Sequence, residues 1–169
     1  DGAVSNDDSL ELFFDPAGDG KRYFHYILNA GNFNGEQRAG IDGTRDRTWN
    51  APWRSATCAG AAGWTAEAAF SLALLASYGE MSQLRFNLCL NVVEPVVDPQ
   101  GVQVGARRTM LTWAPVRAGF HEPDAFGCLR LVDFGVKPIH EPFLPALAGR
   151  PMIKGDGYTA DGAGLRYTV

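Results

Sequence analysis

The sequence predicts an all-β fold, and three observations carry that reading. Twenty Gly and ten Pro are spread along the 169 residues and cut the chain into many short apolar segments. Several of these segments alternate apolar and polar residues with period two, the repeat of a strand with two unlike faces. Hydrophobic residues make up 46% and charged residues 20%, enough apolar material for one buried core and too little charge for wholesale disorder.

Ser9 to Phe14 reads as a strand with Leu10, Leu12 and Phe14 on one face and Ser9, Glu11 and Phe13 on the other. Pro16 and the Gly18-Asp19-Gly20 turn end it. Tyr23 to Asn29 sets Phe24, Tyr26 and Leu28 against Tyr23, His25 and Ile27, and completes a hairpin. The polar stretch from Gly31 to Pro52 is expected to hold a short strand near Arg38 to Ile41, then a loop carrying Trp49 and Trp53. Arg54 to Ala59 and Trp64 to Leu72 form a second hairpin around Gly60-Ala61-Ala62-Gly63. Good helix formers follow Ala66, so the strand is taken to about Phe70 with one helical turn after it. Leu84 to Asn91 gives the cleanest alternation, with Arg85, Asn87, Cys89 and Asn91 on the polar face. Thr109 to Trp113 and Cys128 to Phe134 are two further strands, joined by a loop over Ala114 to Ala125 that contains Phe120 and His121. Residues 1–135 are thus expected to form the folded unit. Residues 136–169 read as a Pro-rich linker or tail, with Tyr158 to Val169 as the first strand of a following domain.

Charge and motifs exclude several functions. A net charge of −4, with no cluster of Lys and Arg, speaks against a nucleic-acid partner. No apolar run reaches the roughly 20 residues of a membrane span, so no membrane partner is expected. Cys58, Cys89 and Cys128 lack zinc spacing; each lies in or beside an apolar run and reads as a small buried hydrophobe, with one disulfide left open. His25, His121 and His140 stand too far apart in the chain to suggest a zinc triad. There is no GxSxG, P-loop or dinucleotide fingerprint. Asp15 and Asp19 around their Gly turn are a candidate for a structural calcium, but they lack the middle ligand and the later Glu of an EF-hand; Asp156 and Asp161 near the C-terminus are equally weak, and a turn is the default for both. No other cofactor is expected. The start at Asp1, without Met, fits a processed or excised segment.

Six segments occur in a recognisable order. They are Asp8-Ser9-Leu10-Glu11-Leu12-Phe13-Phe14-Asp15, Tyr23 to Asn29, Gly63-Trp64-Thr65-Ala66-Glu67-Ala68-Ala69-Phe70, Arg85-Phe86-Asn87, Thr112-Trp113-Ala114-Pro115, and Phe120-His121-Glu122-Pro123-Asp124-Ala125-Phe126-Gly127. Together, over about Asp7 to Phe134, they resemble the family 9 carbohydrate-binding modules. The resemblance implies an antiparallel β-sandwich, jelly-roll or immunoglobulin-like, with a glycan site on one sheet face. It also implies strands before the Asp-Ser-x-Glu segment, where this chain has only seven residues, so the sandwich is expected to be incomplete at its N-terminal side.

The family clamps a terminal sugar between two aromatic rings. Here Ser5 falls at the upstream place and cannot stack, while Phe120 falls at the downstream one. Of the polar contacts, Glu11 matches the Glu of Asp-Ser-x-Glu and His25 matches a basic residue on the next strand. Cys89 falls where an amide is usual, flanked by Asn87 and Asn91. By alternation Glu11, His25, Asn87 and Asn91 share one face, with Phe120 as the neighbouring ring. A single stacked ring, where the loss of one costs about 1–3 kcal/mol, suggests millimolar binding.

Trp49 and Trp53 could replace the missing ring, but loop packing is the plainer role. Trp64 and Trp113 are expected in the core. No pair among Asp7, Asp8, Glu11, Glu67 and Glu122 has spacing that fixes a glycosidase acid and base, so catalysis is not expected. The sequence therefore predicts a non-catalytic glycan-binding module of an extracellular or periplasmic polysaccharide-processing protein, with neighbouring domains of the same polypeptide as its other partners. The alternatives are a structural or protein-interaction sandwich that has lost sugar binding, and, less favoured, a glycoside hydrolase.

Overall fold

The computed structural model describes residue 4 and residues 7–130, 159–161 and 164–168. The strands are β1 (Ser9–Asp15), β2 (Tyr23–Asn29), β3 (Asn34–Ala39), β4 (Arg45–Asp46), β5 (Trp53–Gly60), β6 (Gly63–Phe70), β7 (Arg85–Val97), β8 (Gln103–Thr112), β9 (Gly127–Cys128), β10 (Thr159–Asp161) and β11 (Gly164–Thr168). One short helix, α1 (Leu72–Ala76), follows β6; Ser71 caps it by accepting the Leu74 N–H at 3.2 Å. All pairing is antiparallel. The first sheet runs β4-β3-β2-β1-β7-β8 with β9 also on β7, and the second runs β10-β11-β6-β5. The fold is an antiparallel β-sandwich.

Alternation builds the space between the sheets. Leu10, Leu12 and Phe14 of β1, Phe24, Tyr26 and Leu28 of β2, and Phe86, Leu88 and Leu90 of β7 point inward and meet Trp64 and Ala66 of β6. Phe70 at the end of β6 touches Phe14 at 5.0 Å and Tyr26 at 4.6 Å between ring centres, and stacks on Trp53 at 5.6 Å. Trp49 stacks on Phe24 at 5.0 Å. The Trp49/Trp53 loop thus packs on the core, the plainer of the two roles expected. Trp64 is buried, but Trp113 is 44% exposed, contrary to expectation. It follows the edge strand β8, which has no neighbour on its far side among the described residues, and its indole lies over Gly127, where any Cβ would come within 2.5 Å of the ring.

The first sheet carries a second, smaller core on its opposite face. The loop after β8 crosses that face and lays Phe120 and Phe126 against Phe13, Tyr23, Ala39 and Cys89. Its start is held by Asn87: Oδ1 accepts the Ala114 N–H at 2.8 Å and Nδ2 donates to the Ala114 carbonyl at 3.1 Å. Further on, the Glu122 carboxylate accepts N–H groups from Arg117 at 2.9 Å and Gly119 at 3.0 Å, and another from Ala118. Those backbone bonds hold the Glu122 carboxyl down at about 2.

Some boundaries differ from the sequence reading. The third strand lies at Asn34–Ala39 rather than near Arg38 to Ile41, because its register is set by β2, where His25 faces Gln37. β7 and β8 extend six residues beyond Asn91 and six before Thr109. Pro95 suggested a strand end, yet past Asn91 β7 pairs only with β8, so a proline is tolerated on the open side. Asp98 closes this ribbon by accepting the Val102 N–H at 2.8 Å. Only Gly127–Cys128 of the expected strand at Cys128 to Phe134 is described, and the linker from Lys137 to Pro151 lies outside the described residues. So does the expected boundary at 135. β11 pairs with β6 and so adds to the second sheet. All three cysteines are free; Cys89 is buried, while Cys58 and Cys128 are exposed rather than buried, since each sits near the end of a strand.

Asn87→Ala should leave both backbone groups of Ala114 unpaired in a buried place and lower stability by about 1–3 kcal/mol. The denaturant midpoint measures this, and an unchanged midpoint would refute the clamp.

Candidate functional site

Beside the second core, the outer face of the first sheet opens into a pocket of about 350 Å³. Its floor is set by register. Ser9 of β1 faces Asn29 and Asn91, and Phe13 faces His25 and Asn87, so Glu11 lies diagonally between His25 on one side and Asn91 on the other. Glu11 is 6% exposed and His25 5%. Glu11 Oε1 accepts from Asn91 Nδ2 at 2.7 Å, and Oε2 lies 2.7 Å from His25 Nε2. That second contact sets the imidazole directly against the carboxylate and helps to hold the Glu11 pKa down. On the far side of the ring, His25 Nδ1 lies 2.7 Å from Gln37 Nε2, while Gln37 Oε1 is buried with no partner.

Aromatic rings hold these groups in place. Phe13 stacks flat on the His25 imidazole, centres 4.2 Å apart and planes within 4°. His121 stands edge-on to both, 5.2 Å from Phe13 and 5.1 Å from His25, and its Nδ1 is 2.8 Å from the Tyr23 hydroxyl. Two of the histidines that looked scattered in the sequence are therefore neighbours, because the loop after β8 returns across β1 and β2; His140 lies outside the described residues. Glu11, His25 and His121 bring ligand-type atoms within 4.8 Å of one another, a donor set that suits a transition-metal ion.

Electrostatics follow from the packing. Burial alone would push the Glu11 carboxyl up, but the contacts with His25 and Asn91 and the nearby His121 bring it below its usual value. His121 is exposed as a residue, but the packing of its ring against Phe13 and His25 desolvates it and lowers it to about 4; His25, Arg45 and Arg47 oppose its proton further, and Glu11 favours it. Burial of the Cys89 thiol, with Glu11 nearby, raises its pKa far above the usual range, which marks an inert core residue.

Of the residues expected to bind sugar, Glu11, His25, Asn91 and Phe120 all line this pocket. Phe120 is only 6% exposed, so it walls the pocket from within the second core and is not the open ring that was expected. Asn87 has a different role from the expected one. It is fully buried, and both ends of its amide hold Ala114, because the loop crosses the sheet directly above it. Ser5 lies outside the described residues. Gln37 and His121 were missed: Gln37 falls on a strand whose register the sequence misplaced, and His121 sits in a loop with no periodicity. At the Asp15 turn, the carboxylates accept backbone N–H groups, Gly20 to Asp15 at 2.8 Å and Lys21 to Asp19 at 2.8 Å.

The sequence profile described as carbohydrate family 9 binding domain-like matches residues 3–134. The chain belongs to that family. The match covers both sheets from β1 to β9 and all residues of the pocket named above. Neither a curated protein nor a solved structure matches the chain.

The lowered His121 value fixes a sign for stability. An unfolded histidine takes a proton near 6.5, whereas the folded one refuses it until about 4. Between those values the unfolded state binds more protons, so stability falls as pH falls. His121→Gln should flatten the dependence of melting temperature on pH across that window. An unchanged slope would show that His121 titrates normally.

Proposed function

We propose that this carbohydrate-binding-type domain holds a glycan non-catalytically in the pocket on the outer face of the first sheet. Glu11, His25 and Asn91 supply the polar contacts and Phe120 part of the apolar wall. The observation that carries the reading is Gln37 Oε1, a buried acceptor of a pocket-lining residue that has no hydrogen-bond partner among the described residues. A ligand hydroxyl there would supply the missing partner. The family supports the ligand class.

Catalysis is not part of the proposal. Glu11 is pinned by His25 and Asn91, and the pocket's other carboxylate, Glu36, accepts from Trp53 Nε1 at 2.9 Å and Ala51 N–H at 3.3 Å. Both are already engaged by donors of the protein, which favours binding over acid–base chemistry. In the wider setting, the domain would serve a secreted, extracellular or periplasmic, multidomain protein that processes polysaccharide, with its neighbouring domains as further partners.

A second reading has an observation of its own. Phe120, Trp49 and Trp53 all pack inward, so the aromatic residues expected to stack on a sugar do not form an open platform. That favours a structural or protein-interaction sandwich in which the pocket has lost its sugar.

Titration with mono- and oligosaccharides followed by NMR separates the two. The glycan reading expects saturable shifts at Glu11, His25 and Asn91 with affinity in the millimolar range. Glu11→Gln or Asn91→Ala should weaken binding by about tenfold or more, the scale of one hydrogen bond to a charged group. If every sugar leaves these signals still, the structural reading holds instead.

A further inference from the structure

We propose that the glycan taken by this pocket is anionic, bearing carboxylate or sulfate groups; the inference rests on the glycan reading above and names its ligand class. Three guanidinium groups, those of Arg45, Arg47 and Arg108, line the pocket. They approach from both edges of the first sheet. Arg45 of the edge strand β4 faces Ala39, and Arg47 follows two residues later. Arg108 comes from the other edge strand, β8, two residues from Met110, which faces Asn91.

All three are exposed, and none has an ion pair or hydrogen bond with another described residue. Several other arginines are partnered, Arg22 with Asp19, Arg38 with Asp46, Arg107 with Glu94, and Arg117 with Glu122 and Asp124. The pocket's own carboxylates form no direct ion pair with these arginines. Glu11 is engaged by His25 and Asn91, and Glu36 by Trp53 and Ala51. The chain as a whole carries −4, so three unpaired positive groups around one cavity run against its overall charge. Arg45 and Arg47 both oppose a proton on His121 at the pocket floor, against the opposite pull of Glu11.

The same field opposes a bound cation, although Glu11, His25 and His121 have donor atoms close enough for one. A guanidinium presents a planar fork of donors that matches a carboxylate or a sulfate oxygen pair. Pairs at an exposed rim are weak singly and screened by salt, so their joint effect should be a preference among glycans rather than tight binding.

The test uses the full chain and three matched sets of oligosaccharides: neutral, uronic-acid and sulfated, each at low and at raised salt, with and without EDTA. Uronic or sulfated oligosaccharides should bind about tenfold tighter than neutral ones at low salt, a ratio worth about 1.4 kcal/mol. The preference should shrink as salt rises, and which of the two anionic sets binds better identifies the group recognised. In a variant carrying Arg45→Gln, Arg47→Gln and Arg108→Gln, with its melting temperature checked against the parent, the ratio should fall to about one. Equal binding of neutral and anionic sets would overturn the anionic class while leaving the glycan reading standing. No binding of any set would overturn both. Binding that vanishes in EDTA and returns with zinc would assign the pocket to a metal and overturn the role given to the arginines.

Discussion

A buried carboxylate on the central strand constrains everything around it. Glu11 sits in the middle of β1, between β2 and β7, and its charge is met by His25 and Asn91, one from each neighbour. An ionised group so placed is tolerated only with such partners; removing one from a buried pair typically costs about 3–5 kcal/mol. Register therefore has two locks. On the inner face, Leu10, Leu12 and Phe14 must meet the core. On the outer face, Glu11 must reach both partners. A slip of one residue would put Glu11 among the leucines and satisfy neither.

That arrangement also explains why the first sheet is covered on both sides. Phe13 and Cys89 share the outer face with Glu11, and apolar groups there need their own cover. The loop after β8 supplies it with Phe120 and Phe126. The loop can lie across a sheet because its backbone is satisfied from outside itself: Asn87 holds Ala114, and Glu122 gathers the amides of Arg117, Ala118 and Gly119. The pocket is what remains uncovered beyond the edge of this small core. His121, Phe120 and the β1–β2–β7 floor are thus placed by the packing that buries Phe13.

The sheet face was legible from sequence because period-two alternation assigns a side to each residue once the strand is found. Ser9, Glu11 and Phe13, with His25 and Asn91, could be placed together without coordinates. Alternation says nothing, however, about what will cover a face. Asn87 shares that face with Asn91, and the two diverge only because the loop crosses above one and not the other. Phe120 was given the right neighbourhood and the wrong exposure for the same reason. Gln37 was out of reach because β3 is polar throughout, Asn34 to Arg38 with one Ala, so its register is fixed by pairing with β2 and leaves no mark in its composition. The length of the β7–β8 ribbon was hidden by Pro95, whose missing N–H matters only on a side where β7 has no neighbour.

A domain of a carbohydrate-binding family whose Phe120, Trp49 and Trp53 turn inward would recognise sugar by means other than stacking on those rings. Stacking draws on apolar area and is indifferent to salt, whereas the means left in this pocket are directional and charged. Glu11 and Asn91 are locked to each other, and His25 is clamped between Phe13 and Gln37, so these groups are ordered before any ligand arrives. Preorganised polar atoms lose little freedom on binding, which offsets part of the stacking they replace. They also discriminate more sharply, since a ligand that fails to reach the buried Gln37 Oε1 leaves it unpaired. A floor of fixed, partly unsatisfied polar groups under a rim of exposed arginines would favour selectivity over affinity. That combination suits a module acting in several copies or beside other domains, where each contact can be weak because effective concentration supplies the rest.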